Sequence, residues 1–168
     1  MVETAQSKIN YLRLSVTDRC NLRCVYCRPR RDVKQVPQYE IMSFEEIAEA
    51  ARLLSLCGVE YVRITGGEPL IRRDIEVLVG MLRRISGIKE ISMTTNGIFL
   101  KEKLAGLVNS GLSRLNISLN TFRRGRYRRI TGCDGLNEAM ESIRLALMAR
   151  VSPLKINIVV LKGVNDDE

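Results

Sequence analysis

Thr17-Asp18-Arg19-Cys20-Asn21-Leu22-Arg23-Cys24-Val25-Tyr26-Cys27 follows a strand-like run at 10–16 and crowds three thiols, spaced Cys-x3-Cys-x2-Cys, into one short segment. The chain contains no histidine that could complete an ordinary metal site. A cubane 4Fe-4S cluster normally takes four cysteine thiolates, so three from one loop leave one iron open to a small molecule. Three other readings compete. Positions i, i+4 and i+7 share a helix face and could form a buried apolar stripe, but Asp18, Arg19, Asn21 and Arg23 make a poor core helix. A structural zinc site wants four ligands and commonly a second cysteine pair, whereas Cys57 and Cys133 are isolated. A disulfide framework fits badly with five cysteines, an odd count, and the opening segment 1–8 lacks the apolar core of a signal peptide. The chain therefore reads as cytoplasmic, with reduced thiols.

Outward from this segment, short β-rich runs alternate with amphipathic helices. Strands are predicted near 10–16, 59–65, 88–94, 112–118 and 154–161. Ser43 and Glu46 form a capping-box pattern ahead of Ile47, Ala50, Ala51 and Leu54, with Gly58 as the stop and Cys57 continuing the apolar face into the core. Three more helices are read from Ile75, Leu78, Val79 and Leu82, from Leu100, Leu104, Leu107 and Val108, and from Leu136, Ala139, Met140, Ile143 and Leu147. Strand, helix, strand in strict succession argues for parallel βαβ units with right-handed crossovers, in an α/β fold of five strands and four helices.

Parity within the strands carries a second message. Arg13 and Ser15, Arg63 and Thr65, Ser92 and Thr94, Asn116 and Ser118, and Lys155 and Asn157 place polar groups at alternate positions, while Ile64, Met93, Ile117, Ile156 and Ile158 fill others. Strands of an all-parallel sheet usually read as unbroken apolar runs, because both faces are covered. Here one face is wet, and either lines a ligand-binding lumen or belongs to an open, half-exposed sheet.

The cysteine spacing with Tyr26 before the last thiol, together with Gly66-Gly67-Glu68-Pro69 after a strand, resembles the radical S-adenosylmethionine (SAM) enzymes. More narrowly, Leu12–Cys20, Arg63–Leu70, Thr94-Thr95-Asn96-Gly97 and Lys162-Gly163-Val164-Asn165-Asp166 resemble the GTP 3′,8-cyclases of molybdenum cofactor biosynthesis, over nearly the whole chain. The resemblance implies a lyase built on an incomplete parallel βα barrel of the radical SAM type, with a 4Fe-4S cluster on Cys20, Cys24 and Cys27. It implies cofactor contacts in the Gly66-Gly67-Glu68 segment and at Tyr26 and Ser118, and GTP contacts at Arg13, Arg63, Thr94 and Lys155. Cleavage of SAM would yield a 5′-deoxyadenosyl radical that acts on the ribose, so no side chain is assigned as a general acid or base. The cyclases carry a further C-terminal region with a second cluster, which this chain lacks. It is therefore expected to be one C-terminally truncated radical SAM core domain over 1–168, incomplete for full activity. Asn120 departs from the aspartate usual in the family.

Composition agrees. With 45% hydrophobic residues in 168 the chain can bury one core, and its charge of +8 favours an anionic partner such as a nucleotide, a nucleic acid or an acidic protein, among which charge alone does not choose; the resemblance implies GTP and makes nucleic acid the less expected partner. No run reaches the ~18 apolar residues of a membrane span. An electron donor is implied by the family, and a homo-oligomer is admitted. Arg123-Arg124-Gly125-Arg126-Tyr127-Arg128-Arg129 reads first as solvated surface, with RNA contact and stacking on Tyr127 as the alternative. Two rival functions stay open: another radical SAM enzyme, modifying peptide or RNA, and a non-catalytic zinc-binding module.

Overall fold

A computed structural model describes residues 9–27 and 35–168. The opening segment 1–8 lies outside the described residues. Five strands, β1 (Tyr11–Ser15), β2 (Tyr61–Thr65), β3 (Glu90–Thr95), β4 (Arg114–Ser118) and β5 (Leu154–Asn157), form one parallel sheet in sequence order. Five helices connect them: α1 (Phe44–Leu56), α2 (Ile75–Arg83), α3 (Leu100–Asn109), α4 (Arg124–Thr131) and α5 (Leu136–Met148). The architecture is the expected incomplete parallel βα barrel.

Alternation along the strands sorts the two faces. Val62, Ile64, Ile91, Met93, Leu115 and Ile117 are buried with Ile47 and Ala51 of α1, Leu78 and Leu82 of α2, Leu104 and Leu107 of α3, and Ala146 of α5 in one core. The opposite face is polar, and its register brings side chains into rows. Arg13 pairs with Arg63, Arg63 with Ser92, and Ser92 with Arg114. One step toward the C-terminal ends, Ser15 pairs with Thr65, Thr94 with Asn116, and Asn116 with Lys155. Ser92 and Asn116 at the centre are 1% and 2% exposed, which answers the half-open alternative there, whereas Arg13 and Lys155 toward the edges stay exposed.

Three expectations are corrected. The arginine run holds a fifth helix, α4, because Tyr127, Ile130 and Thr131 bury one face while the arginines take the others. Tyr127 is thereby removed from any stacking role. The last strand ends at Asn157 rather than 161: beyond it Val159 N–H donates to Asn120 Oδ1 at 2.9 Å and Leu161 N–H to Asn165 Oδ1 at 2.6 Å, so side chains replace the ladder. Cys57 is exposed, because α1 has already ended and this residue is its C-cap.

The start of α1 is set as the sequence indicates. Ser43 Oγ accepts from Glu46 N–H at 3.1 Å, and Glu46 Oε2 accepts from Ser43 N–H at 2.7 Å. Replacing the cap leaves a first-turn donor unpaired. Ser43→Ala is expected to lower unfolding free energy by about 1 kcal/mol, seen as a lower denaturant midpoint at unchanged slope.

Candidate functional site

The cysteine segment leaves the C-terminal end of β1, where parallel α/β folds gather their ligand sites. What holds it is the turn after β2. Gly67 N–H donates to Thr17 O at 2.6 Å and Glu68 N–H to Arg19 O at 2.7 Å, extending strand-like pairing beyond the ladder. Gly66 has φ +147°, and a Cβ added to Gly67 would sit 2.1 Å from the Arg19 carbonyl oxygen. These glycines do permit a close approach, but the partner is the backbone entering the cysteine segment. The carboxylate of Glu68 does not reach the inner face. It is 1% exposed and accepts from Leu70 N–H at 3.0 Å, Thr95 Oγ1 at 2.7 Å and Asn96 N–H at 2.7 Å. Glu68 thus positions the turn, and the Asn96 amide carries the connection onward to Asn21 Oδ1 at 2.8 Å, between the first two cysteines. From the far side, Thr131 O and Ile130 O at the end of α4 accept from Arg23 N–H and Val25 N–H at 2.8 and 2.9 Å.

Cys20 and Cys24 are partly buried and Cys27 exposed. Burial pushes the Cys24 thiol above its ordinary range, and the neighbouring Cys20 and Cys27 push the same way, so the three sulfurs feel one another. The Tyr26 hydroxyl opposes the shift by bonding to Cys24. That phenol accepts from Asn120 Nδ2 at 2.7 Å, and burial raises it to about 12. Among the described residues no three Cys, Asp or Glu side chains are drawn together around an ion. The donor chemistry nonetheless fits an iron–sulfur group: three free thiols on a segment pinned from both sides, with one vertex left for another ligand.

Of the residues expected to contact substrate, Arg13 and Arg63 stand side by side in one row and Thr94 and Lys155 flank Asn116 in the next. Arg63 lies over the Tyr11 ring at 5.2 Å and reaches Ser92 Oγ at 3.5 Å; Thr94 Oγ1 accepts from Asn116 Nδ2 at 3.5 Å. Ser118, paired in register with Asn157, stands at the end of β4. Sequence reasoning missed Arg114, which occupies the Arg63 row and pairs with Glu90 at 3.1 Å; its parity with Asn116 was the available signal. The arginine run is engaged elsewhere. Arg123 and Arg126 pair with Asp167 and Glu168, and Arg124 pairs with Asp134.

The radical SAM superfamily matches residues 14–168. Curated GTP 3′,8-cyclases of Pelotomaculum thermopropionicum and Moorella thermoacetica are 48% and 47% identical over 168 residues, covering 100% of this chain and 52% of each relative. The chain spans about half the length of the curated relatives it matches. Among solved structures, Streptococcus suis SuiB bound to precursor peptide SuiA aligns with a TM-score of 0.74 at 21% identity, over 92% of this chain and 34% of that one. Methylornithine synthase aligns at 0.70 and 19%, over 92% and 45%. At these identities the likeness is one of fold.

Two substitutions test the anchoring. Gly67→Ala forces backbone against backbone and is expected to cost about 2 kcal/mol or more, and to reduce the iron taken up per chain on anaerobic reconstitution. Glu68 is raised above 4.5 by burial, with the bonds from Asn96, Thr95 and Leu70 pulling it down. Its contribution to stability is therefore fully present below the unfolded value and declines as pH rises through the folded one. Glu68→Gln sets an amide donor against at least one of the three donors and should cost about 1–3 kcal/mol. The gap in unfolding free energy between the two proteins should widen as pH falls toward 4.5.

Proposed function

The chain belongs to the radical SAM superfamily, and we propose that it is the cluster- and SAM-binding part of a GTP 3′,8-cyclase serving molybdenum cofactor biosynthesis. The observation that carries the substrate is the pair of rows on the inner face, Arg13 beside Arg63 and Thr94 beside Asn116 and Lys155. Guanidinium groups make forked, charge-assisted bonds to phosphate oxygens and lysine adds a point charge, so the set suits a nucleoside triphosphate. The relatives named as GTP 3′,8-cyclases, similar over all of this chain, support guanine as the base.

Cys20, Cys24 and Cys27 would hold a 4Fe-4S cluster, leaving one iron for the amino and carboxylate groups of SAM. When bound, the cluster and SAM supply one-electron reductive cleavage of a carbon–sulfur bond. The chain's own residues bind, orient and shield. Tyr26 on the cysteine segment and Ser118 at the end of β4 would contact SAM, and the turn at Gly66, Gly67 and Glu68 holds the cysteine segment in place. Arg13, Arg63, Thr94 and Lys155 fix the triphosphate, so that the ribose meets the reacting carbon in a productive pose. No proton transfer by a side chain is required. An external electron donor is needed, and a cytoplasmic setting suits the reduced thiols; among the described residues no helix is long and apolar enough to cross a membrane. The zinc-module reading is set aside by the family match, and the peptide-bound neighbour supports a shared fold only.

Anaerobic reconstitution with iron and sulfide, followed by assay of 5′-deoxyadenosine with and without GTP, is the test. Iron–sulfur absorption and SAM cleavage are expected, with little or no pterin precursor formed. Efficient precursor formation would show the chain to be more than the SAM-binding part, and failure to take up iron would sink the reading. Arg63→Ala should weaken GTP binding roughly tenfold or more, from a charge-assisted bond of about 1.5–3 kcal/mol, read by equilibrium titration.

A further inference from the structure

The segment that bears the three cysteines leaves the sheet at Val16 and rejoins regular structure at Ser43, the N-cap of α1. One side chain holds both ends. Arg72 follows the short 3-10 turn Pro69–Ile71 after β2, and its own N–H donates to Pro69 O at 3.0 Å. Its guanidinium donates through Nη1 to Val16 O at 2.9 Å and through Nη2 to Met42 O at 2.6 Å, and its Cζ lies over the Phe44 ring at 4.3 Å. Val16 is buried just beyond β1 and gives its N–H to Thr65 O at 3.0 Å, so it is a fixed point of the sheet. Met42 is exposed and belongs to the returning stretch. A second bond crosses the same base, from Val36 N–H to Asp18 Oδ2 at 2.8 Å. The bonds from Gly67, Glu68 and Asn96 hold the outgoing half at Thr17, Arg19 and Asn21, and α4 holds Arg23 and Val25. The returning half is tied back by Arg72 and by the Asp18–Val36 bond. A guanidinium carries its donors in a rigid plane, so one group can reach two carbonyls on separate stretches of chain while stacking on a ring.

We propose that Arg72 is a positioning residue for the metal site: it closes the base of the cysteine segment, so that Cys20, Cys24 and Cys27 are presented by a loop already shut when the iron–sulfur group binds. The inference rests on the reading of these three residues as cluster ligands. Bringing the two ends of a loop together removes chain entropy. Where a metal site is not yet formed, that ordering is subtracted from the affinity for the metal. A base closed by Arg72 moves the cost into folding and strengthens retention of the group. Arg72 acts through backbone carbonyls at both ends. Its loss therefore changes how long the group is held, and not which thiolates hold it.

The test compares the anaerobically reconstituted protein with Arg72→Met, Arg72→Lys and Leu104→Ala. The last is a control: Leu104 lies in the core on α3, and its truncation lowers the denaturant midpoint without touching the Arg72 bridge. Iron release to excess chelator should run roughly tenfold faster from Arg72→Met than from the unsubstituted protein, the size usual for loss of a group that orients metal ligands. The iron–sulfur absorption should keep its shape. Release from Leu104→Ala should stay at the unsubstituted rate although its unfolding midpoint falls, and Arg72→Lys, which keeps the charge without the fork, should lie between. In the unloaded proteins, alkylation followed by mass spectrometry should label the partly buried Cys20 and Cys24 faster in Arg72→Met. An unchanged release rate or unchanged alkylation in Arg72→Met overturns the proposal. Equal acceleration in Leu104→Ala overturns it in favour of global stability, and full retention in Arg72→Lys overturns it by showing that a point charge suffices. Absence of iron in the unsubstituted protein would bring down the cluster reading and this inference with it, an outcome distinct from loaded protein whose release ignores Arg72.

Discussion

The buried carboxylate of Glu68 is the constraint on which the site depends. It takes bonds from the turn after β2, from Thr95 at the end of β3 and from Asn96 just beyond, so the ends of two neighbouring strands meet on one pair of oxygens. Its backbone N–H and that of Gly67 grip the Thr17–Arg19 backbone, and the Asn96 amide it orients reaches Asn21. The cysteine segment, which has no helix or strand of its own, thereby inherits the rigidity of the sheet. A site built on regular elements holds geometry that a free loop would lose. Burying a charge for this purpose is costly, and the raised pKa of Glu68 registers that cost.

Much of this order was legible beforehand. Period-2 alternation told the apolar from the polar face, and the wet parity of five strands put Arg13, Arg63, Thr94 and Lys155 with six other polar residues on one face, because in a parallel sheet equal parity means a shared face; the resemblance, not the parity, singled out those four. Other features were hidden for physical reasons. The resemblance implied a cofactor contact in the segment that holds Glu68; only the fold shows the three donors its buried carboxylate accepts from. The glycines before it looked like a cradle for a ligand, and the required close approach is real, but the partner comes from a segment nearly fifty residues earlier. α4 escaped notice because five arginines swamp the i, i+3, i+4 signal of Tyr127, Ile130 and Thr131. The early end of β5 could not be foreseen, since Asn120, from beyond β4, and Asn165, in the turn that follows, divert its hydrogen bonds.

Two sets of arginines show how position decides what a cation is for. Arg123, Arg124 and Arg126 point from a surface helix at Asp134, Asp167 and Glu168; the exposed Arg123–Asp167 and Arg124–Asp134 pairs contribute little energy, the Arg126–Glu168 pair is half-buried, and all consume the charge. Arg13 and Arg63 are placed by the pleat on the polar face, next to each other and away from the helices. Like charges side by side are unfavourable alone, and a polyanion relieves that repulsion. Arg114, in the same row, is instead balanced by Glu90 beside the opening of β3, so the row is not uniformly cationic.

Asn120 is where the departure from the family's usual aspartate acquires a consequence. Its amide nitrogen donates to the Tyr26 oxygen, its amide oxygen accepts from Val159 N–H, and its carbonyl accepts from Asn165 Nδ2 at 2.7 Å. Because the phenol accepts from Asn120, its own proton is free to point at Cys24, and the lowering of the Cys24 pKa by Tyr26 reflects that direction. An aspartate could only accept, and would turn the Tyr26 proton toward itself. The amide thus joins the end of β4, the cysteine segment and the stretch after β5 while leaving Tyr26 as a donor to sulfur. The partly buried Cys24 thus has a phenol from its own segment as donor, while Cys27 is exposed.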